Sequence, residues 1–277
     1  EQGLYGGKVI ADYAKAHHWR VEADLNNDIV GNTHGQDGVV DNTTVRTFAE
    51  GTKSSETLDQ AKYRRYHGGE VDSPSRNTAR YIAAIAERYM TNFHVRMVYR
   101  TDRYGRGGDQ VPFLEAGYPA VRFTEAHENY TRQHQDVRTE NGIRYGDTID
   151  GVDFPYLAQV ARLNVRTMAS MAAAPAPPLG VEIDGGVSTD TTVKWQAVPG
   201  AAGYRVWWRD TTAPQWQQSR YVGNATTATL KNVVVDDFFF GVSAVSADGY
   251  ASPIVFPGDA GRFDDSQKKP DEPPKPQ

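Results

Sequence analysis

The stretch VPFLEAGYPAVRFTE, residues 111–125, contains patterns typical of a helix, a turn and a strand in succession. Its first residues favour a short helix, Gly117-Tyr118-Pro119 is typical of a tight turn, and the apolar residues that follow favour a strand. Helical and strand patterns alternate in the same way before and after it. This alternation predicts an α/β fold, a mixed sheet with helices on both faces.

The spacing of apolar residues places further elements around this stretch. The predicted elements are a helix over 3–17, a strand over 21–25, a helix over 73–90, a strand over 93–100 and a closing helix over 153–172. On the first helix, the apolar residues at helical spacing are Val9, Ile10, Tyr13 and Ala14. Ser75 or Asn77 is the predicted cap of the helix over 73–90. In such sheets, chemistry gathers on loops just past the strand ends.

The composition changes abruptly at MASMAAAPAPPLG, residues 168–180. We therefore place the first domain at 1–173 and an Ala/Pro linker at 174–179. Short alternating segments with regular turns then predict an all-β sandwich over 180–257. The last segment, 258–277, is rich in charge and proline and is expected to be disordered.

The overall composition excludes several classes of protein. The chain has 277 residues, a net charge of −5 and 39% hydrophobic residues, which is typical of a soluble globular protein and not of a nucleic-acid binder. No apolar run is long enough to span a membrane. Because cysteine is absent, any metal must be held by histidine, aspartate or glutamate.

Three such residues stand where helices begin or strands end. Glu1 precedes the first helix, Asp28 follows the strand over 21–25, and His134 lies in the loop after the strand that begins at Ala120. Carboxylates and imidazoles together suit zinc or a similar ion. Each position also has an ordinary interpretation, since Asp28 suits a turn and a lone loop histidine usually lies at the surface. His127 competes with His134.

Four blocks of sequence, in order over residues 1–172, resemble metallopeptidase family 28, the co-catalytic di-zinc exopeptidases. They are EQGLYGG, LNNDIVGN, GRGGDQVPFLEAGYPAVRFTE, and ENYTRQHQDV with the closing helix. The resemblance implies the C-terminal half of a zinc-exopeptidase-like α/β domain. Gly108-Asp109-Gln110 departs from the family's Ser-Asp-His, which leaves substrate preference open.

The resemblance also implies roles for individual residues. Glu1 and His134 would bind one zinc ion and Asp28 the other. Asp109 would orient a ligand or the substrate amine, with a helix N-cap as the alternative. The first histidine, the bridging aspartate and the general-base glutamate would lie before Glu1. Since the family hydrolyses peptides with a water activated by two metals, the 277-residue chain alone is expected to be inactive.

The second part resembles a fibronectin type III domain, with Trp195 and Tyr204 at its buried aromatic positions. The combined expectation is a zinc-dependent exopeptidase, most simply an aminopeptidase acting on peptides, in a secreted, periplasmic or envelope-bound bacterial protein. Carboxypeptidase-like and glutaminyl-cyclase-like members remain alternatives. So does a non-catalytic binding or adhesion protein, in which exposed tryptophans such as Trp207 or Trp208 of the sandwich would bind a polysaccharide or a protein.

Overall fold

The computed structural model describes residues 4–264, and these contain five α-helices and twelve β-strands. The first part consists, in chain order, of α1 Tyr5–Ala16, β1 Asp24–Asn27, β2 Thr44–Phe48, α2 Leu58–His67, α3 Pro74–Tyr89, β3 His94–Val98, α4 Gln110–Glu115, β4 Ala120–Glu125, the hairpin β5 Arg138–Glu140 and β6 Ile143–Tyr145, and α5 Phe154–Ala173. The second part consists of β7 Glu182–Asp184, β8 Thr191–Lys194, β9 Gly203–Asp210, β10 Gln218–Tyr221, β11 Thr227–Leu230 and β12 Phe238–Val245. None of the described helices is long and apolar enough to cross a membrane.

The first part is built on a mixed sheet in the order β1-β4-β2-β3. β1 runs parallel to β4 and β2 parallel to β3, while β2 and β4 are antiparallel. Val121 and Phe123 of β4 pack with α3 and α5 on one face. Ala120 packs with α1 and α4 on the other face, because successive strand residues point to opposite sides. The structure thus contains the expected mixed sheet between helices.

The helix over 73–90 is present, but the cap prediction was wrong. Ser73, and neither Ser75 nor Asn77, is the N-cap, and its side chain accepts a hydrogen bond from the Arg76 backbone. Pro74 fills the first helical position, where its missing N–H costs nothing. Oγ of Ser75 instead accepts a hydrogen bond at 3.1 Å from the backbone N–H of Ala120 in β4.

Two local predictions near the start of the chain also differ from the structure. The strand lies at Asp24–Asn27 and not at 21–25. On α1, Ala14 is buried as the pattern requires, but Val9, Ile10 and Tyr13 are 66%, 55% and 52% exposed. The buried side of this helix is formed by small residues at Gly7, Ala11 and Ala14. Most of the apolar surface of α1 therefore faces outward.

The second part is a two-layer β structure. One three-stranded sheet has the order β10-β9-β12 and the other β11-β8-β7. Trp195 and Tyr204 are buried between them, with ring centroids 5.5 Å apart. The last predicted strand, around 251–256, forms only isolated bridges to β12. The first seven residues of the expected disordered tail, 258–264, are folded in the structure, since Phe263 is buried in the sandwich core.

The two parts contact each other through a buried ionic cluster. Asp72, on the loop before α3, accepts hydrogen bonds from Arg80 of α3 at 2.8 Å and from Arg209 of β9 at 2.8 and 2.9 Å. All three side chains are at most 2% exposed. The chain also packs closely at Gly69, where an added Cβ would lie 2.7 Å from the side-chain Cβ of Ala260. The sandwich is thus packed firmly against α3.

Candidate metal centre

A cavity of about 300 Å³ lies beyond the C-terminal ends of β1 and β4. These strands are parallel neighbours, with Asn27 opposite Phe123, so the residues that follow them lie side by side. The loop segments 132–134 and 147–152 close the other walls. The cavity occupies the position where ligands usually bind in open α/β sheets, outside the carboxyl ends of the strands.

Asp28 and His134 both line this cavity. Glu1 lies outside the described residues. Glu125 and Asp147 contribute two further carboxylates to the walls. Within residues 4–264, however, no three histidine, aspartate or glutamate side chains are arranged to hold a metal ion together. The donor types present fit zinc, while the described residues alone do not supply a complete set of ligands.

The structure separates the two competing histidines. Nδ1 of His127 lies 2.7 Å from Oδ2 of Asp37, and His127 is not among the residues that line the cavity. His134 does line the cavity, and it adopts a left-handed backbone conformation with a φ of 53°. A non-glycine residue held in this region costs of order 1–3 kcal/mol, and such residues cluster at functional sites.

A second strained residue borders the same cavity. Ile29, directly after Asp28, has a φ of 63°, which is a rare conformation for a β-branched residue. The carbonyl oxygen of Ile29 accepts hydrogen bonds from the Glu125 backbone at 2.8 Å and from the Thr124 hydroxyl at 3.1 Å. These two bonds to β4 fix the turn that carries Asp28.

A buried arginine holds the Asp28 carboxylate. Nη1 of Arg122 lies 2.8 Å from Oδ2 of Asp28 and 3.2 Å from Oδ2 of Asp102. Burial lowers the pKa of Arg122, while the charges of Asp102 and Asp28 act in the opposite direction. A carboxylate has two oxygens, so this contact through Oδ2 is compatible with metal coordination through Oδ1.

Gln110, which stands where the family pattern has a histidine, belongs to the same buried network. Nε2 of Gln110 donates to Oδ2 of Asp102 at 2.7 Å, and its Oε1 accepts from Asn26 of β1 at 2.9 Å. Asp109 does not line the cavity. It precedes α4, but its side chain forms no capping hydrogen bond to that helix. Asp109 thus occupies the N-cap position of α4, as the alternative expected, without a capping bond from its side chain.

Two neighbouring glutamates have opposite electrostatic environments. Burial, reinforced by the charge of Glu128, raises the pKa of Glu125 to about 7. Burial alone would also raise the pKa of Glu128, but a hydrogen bond from Arg46 and the charges of Arg103 and Arg106 hold it below its ordinary value. Glu125 in the cavity wall thus has a pKa near neutral pH, while Glu128, which does not line the cavity, stays ionised.

Arg122 and Glu125 were not among the predicted site residues. Their signal in the sequence is two charged residues within the predicted strand AVRFTE, and all six residues of this strand are buried in the structure. A charged residue in a buried strand must have a partner. The partner of Arg122 could not be identified from sequence alone. Asp102 is twenty residues away and lies in a loop without recognisable periodicity.

A second cavity, of about 290 Å³, lies between α3 and the sandwich. Its walls include Trp207 and Trp216. The indole N–H of Trp207 donates to Ser243 at 2.9 Å, and that of Trp216 donates to Asn77 of α3 at 3.2 Å. Trp207 therefore forms its hydrogen bond within the sandwich, while Trp216 links the sandwich to α3 of the first part.

Comparison with known proteins shows relatives over nearly the whole chain. A probable zinc metalloprotease from Leptosphaeria maculans is 45% identical over 260 residues, which are 93% of this chain and 60% of that protein. Another, from Pyrenophora tritici-repentis, is 44% identical over 262 residues, 93% of this chain and 54% of that protein. The chain thus spans little more than half the length of these curated relatives. No family model matches the chain.

Among solved structures, a fibronectin type III-like protein from Clostridium thermocellum is similar over 29% of this chain and 85% of that one, with 26% identity and a TM-score of 0.26. Over 93% of its length, this chain is similar to fungal proteins that are named probable zinc metalloproteases.

Proposed function

We propose that this chain is part of a zinc-dependent exopeptidase, most simply an aminopeptidase that hydrolyses peptides. The observation that carries the proposal is that Asp28 and His134 line one cavity at the carboxyl ends of β1 and β4. The names of the fungal relatives support zinc and proteolysis. The two-zinc stoichiometry and the exopeptidase class rest on the sequence resemblance.

In this proposal, Asp28 and His134 are metal ligands and Glu1 is a third. Leu4, the first described residue, lies near Gly107, with its Cδ1 3.8 Å from where a Cβ on that glycine would sit. The Gly107 carbonyl accepts a hydrogen bond from Arg122 at 3.3 Å, and Arg122 also contacts Asp28. The start of α1 therefore lies on the Asp28 side of the fold, which supports a role for Glu1.

The residues of this chain would orient the site and control its charge. Arg122 fixes the Asp28 carboxylate, and the strained turns at Ile29 and His134 fix the directions of the two ligands. Zinc, when bound, would polarise the peptide carbonyl and lower the pKa of water. Glu125, with a pKa of about 7, can hold or release a proton in the cavity wall at neutral pH.

Zinc binding to the 277-residue chain tests the ligand assignment without requiring activity. We expect Zn²⁺ to shift the imidazole NMR signals of His134 before those of the other histidines. His134→Ala and Asp28→Asn should each weaken binding by at least the roughly 10- to 100-fold that is typical when even an outer partner of a metal ligand is lost.

His127→Ala is the matched control, because this histidine lies seven residues from His134 and pairs with Asp37. It should leave zinc affinity unchanged. If His127→Ala weakens zinc binding and His134→Ala does not, the assignment is wrong. A competing function as a binding or adhesion protein would instead predict that neither variant affects zinc binding.

A further inference from the structure

Three Asn-X-Thr triplets occur in the chain, at Asn42, Asn129 and Asn224. This triplet is the acceptor pattern for N-linked glycans when its middle residue is not proline, and the middle residues here are threonine, tyrosine and alanine. A bulky, hydrophilic sugar chain can be accommodated only where the folded protein leaves the acceptor nitrogen at its surface. The structure therefore distinguishes among the three triplets.

The triplets at Asn129 and Asn42 are integrated into the fold of the first part. Nδ2 of Asn129 donates to the His34 carbonyl at 3.3 Å, and its Oδ1 accepts from the Thr131 hydroxyl at 2.7 Å. Asn42 is exposed, but Thr44 of its triplet is the first residue of β2, an inner strand of the sheet. A glycan on Asn129 would compete with these hydrogen bonds, and one on Asn42 would stand beside that inner strand.

The triplet at Asn224 lies on an exposed turn of the sandwich. Asn224, Ala225 and Thr226 are all exposed, and they follow Gly223, whose φ of 61° lies in the left-handed region that glycine tolerates. Within residues 4–264, no hydrogen bond engages the side chain of Asn224 or Thr226. Residues 222–226 line neither the metal cavity nor the cavity between α3 and the sandwich. A sugar chain on Asn224 would therefore displace no side-chain contact of the described protein and block neither cavity.

The same turn joins two edge strands of the sandwich. Among residues 4–264, β10 lies at the edge of the sheet β10-β9-β12 and β11 at the edge of the sheet β11-β8-β7. The two edges lie close together, because Nη2 of Arg220 on β10 donates to the Thr229 carbonyl on β11 at 2.6 Å. That bond covers one carbonyl group, whereas the unpaired N–H and C=O groups of an edge strand invite pairing with another chain. Asn224 thus stands between two strand edges that are open to such pairing.

We infer that, in the exported protein, Asn224 carries an N-linked glycan that shields the open edges of β10 and β11. The donor is a lipid-linked oligosaccharide diphosphate. Nδ2 of Asn224 forms a bond to C1 of the first sugar, the bond from C1 to the diphosphate oxygen breaks, the amide loses one proton and the lipid diphosphate leaves. The relatives named above are fungal, and fungi, like other eukaryotes, attach such glycans to proteins that enter the secretory pathway.

Mass spectrometry tests the acceptor directly. The 277-residue chain would be produced in yeast behind a secretion signal, and cellular and secreted protein treated with a glycosidase that releases N-linked glycans and converts the acceptor asparagine to aspartate. We expect this conversion at Asn224. Thr226→Ala should abolish it, while the matched control Thr226→Ser, which keeps the hydroxyl that the pattern requires, should retain it. The inference is overturned if Asn224 of the wild-type chain is unmodified or if its modification survives Thr226→Ala.

Light scattering on warming tests the shielding of the strand edges. Yeast-produced Thr226→Ala should aggregate at least roughly twofold faster than yeast-produced Thr226→Ser, because the edges of β10 and β11 are then uncovered. The same two variants produced in bacteria, without the glycan, should aggregate at equal rates, which separates the sugar from the substitution. Equal rates for the yeast-produced pair, or an equal difference in the bacterial pair, would overturn the shielding role. Zinc binding at His134 is measured separately, so failure here does not decide the proposed function.

Discussion

Three carboxyl groups in the first part of the chain are buried deeply enough to titrate near neutral pH. Burial raises the pKa values of Asp24, Glu50 and Glu125 each to about 7. At a pH between the ordinary pKa of a carboxyl group and about 7, these three groups therefore stay protonated in the folded protein, while in the unfolded chain they are ionised. Stability consequently falls as pH rises through this window, since the folded state binds more protons.

Glu50→Gln should reduce this pH dependence. For Glu50, a rise of the pKa from 4.5 to about 7 corresponds to about 3.5 kcal/mol over the whole titration, at about 1.4 kcal/mol per unit. Between pH 5 and pH 8, the free energy of unfolding of the variant should fall by about 3 kcal/mol less than that of the wild type. Urea denaturation at the two pH values measures this. Glu140→Gln, at an exposed position, is the control, and an equal slope in Glu50→Gln and wild type would contradict the prediction.

At the level of single residues, the sequence was informative where a residue's role depends on its place at a strand end. Asp28 and His134 both follow strands, but only the family resemblance favoured His134 over His127. Asp28 and His134 both line one cavity. Arg122 and its partner Asp102 could not be selected together. Their contact depends on how a loop folds over β4, and no local pattern encodes that geometry.

Among the elements, α3 shows how the start of a helix can serve two structures at once. Oγ of Ser73 accepts from the Arg76 backbone at 3.1 Å and donates to the Glu50 carbonyl at 2.7 Å. The same hydroxyl thus caps α3 and ties it to the segment after β2. Ser75 and Asn77 fit the local cap pattern equally well. The tertiary contact with Glu50, which the sequence does not display, decides between the candidates.

Ser73→Ala should destabilise the protein by more than an ordinary cap substitution. Loss of an N-cap costs about 0.5–2 kcal/mol, and the Glu50 carbonyl would lose its donor in a fully buried place. We expect a loss of about 2–3 kcal/mol in the free energy of unfolding. Thermal unfolding of Thr57→Ala provides the comparison, because Thr57 caps α2, a helix with no buried residues. A smaller effect of Ser73→Ala than of Thr57→Ala would show that the tertiary bond contributes little.

The elements also show where amphipathic patterns mislead. Val9, Ile10 and Tyr13 of α1 recur at helical spacing, yet glycine and alanine form the buried face of this helix. Small residues let the helix approach α4 closely, with Gly7 against Asp109. The larger apolar residues lie on the exposed side of the helix. Periodicity identified the helix correctly but could not show which of two apolar sides is covered in this chain.

For the whole molecule, the ionic cluster of Asp72, Arg80 and Arg209 links the two parts of the chain. Asp72 accepts from both arginines, one from each part of the chain. Composition changes near residue 174, and α5 ends at Ala173. It could not show that the sandwich packs back onto α3, because the partners Asp72 and Arg209 are far apart in sequence.

Asp72→Asn should destabilise both parts together. Removing one partner of a buried ion pair typically costs about 3–5 kcal/mol, and here two buried guanidinium groups would lose their counter-charge. Calorimetry should show one unfolding transition in the wild type and a lower one in the variant. Glu140→Gln removes the exposed pair with Arg138 and should change stability by less than about 1 kcal/mol. Two separate transitions in the wild type would contradict this coupling.

The contact between α3 and β9 also limits how the two parts of the gene can be rearranged during evolution. Separating the sandwich from the first part would uncover Trp216, together with the Phe239 ring that touches Gly68 and the Phe256 ring beside Gly69. A gene rearrangement that separated the sandwich from the first part would therefore expose an apolar patch on the protein in a single step. Selection should pass the two parts on as one heritable unit, even though one of them carries no candidate ligand.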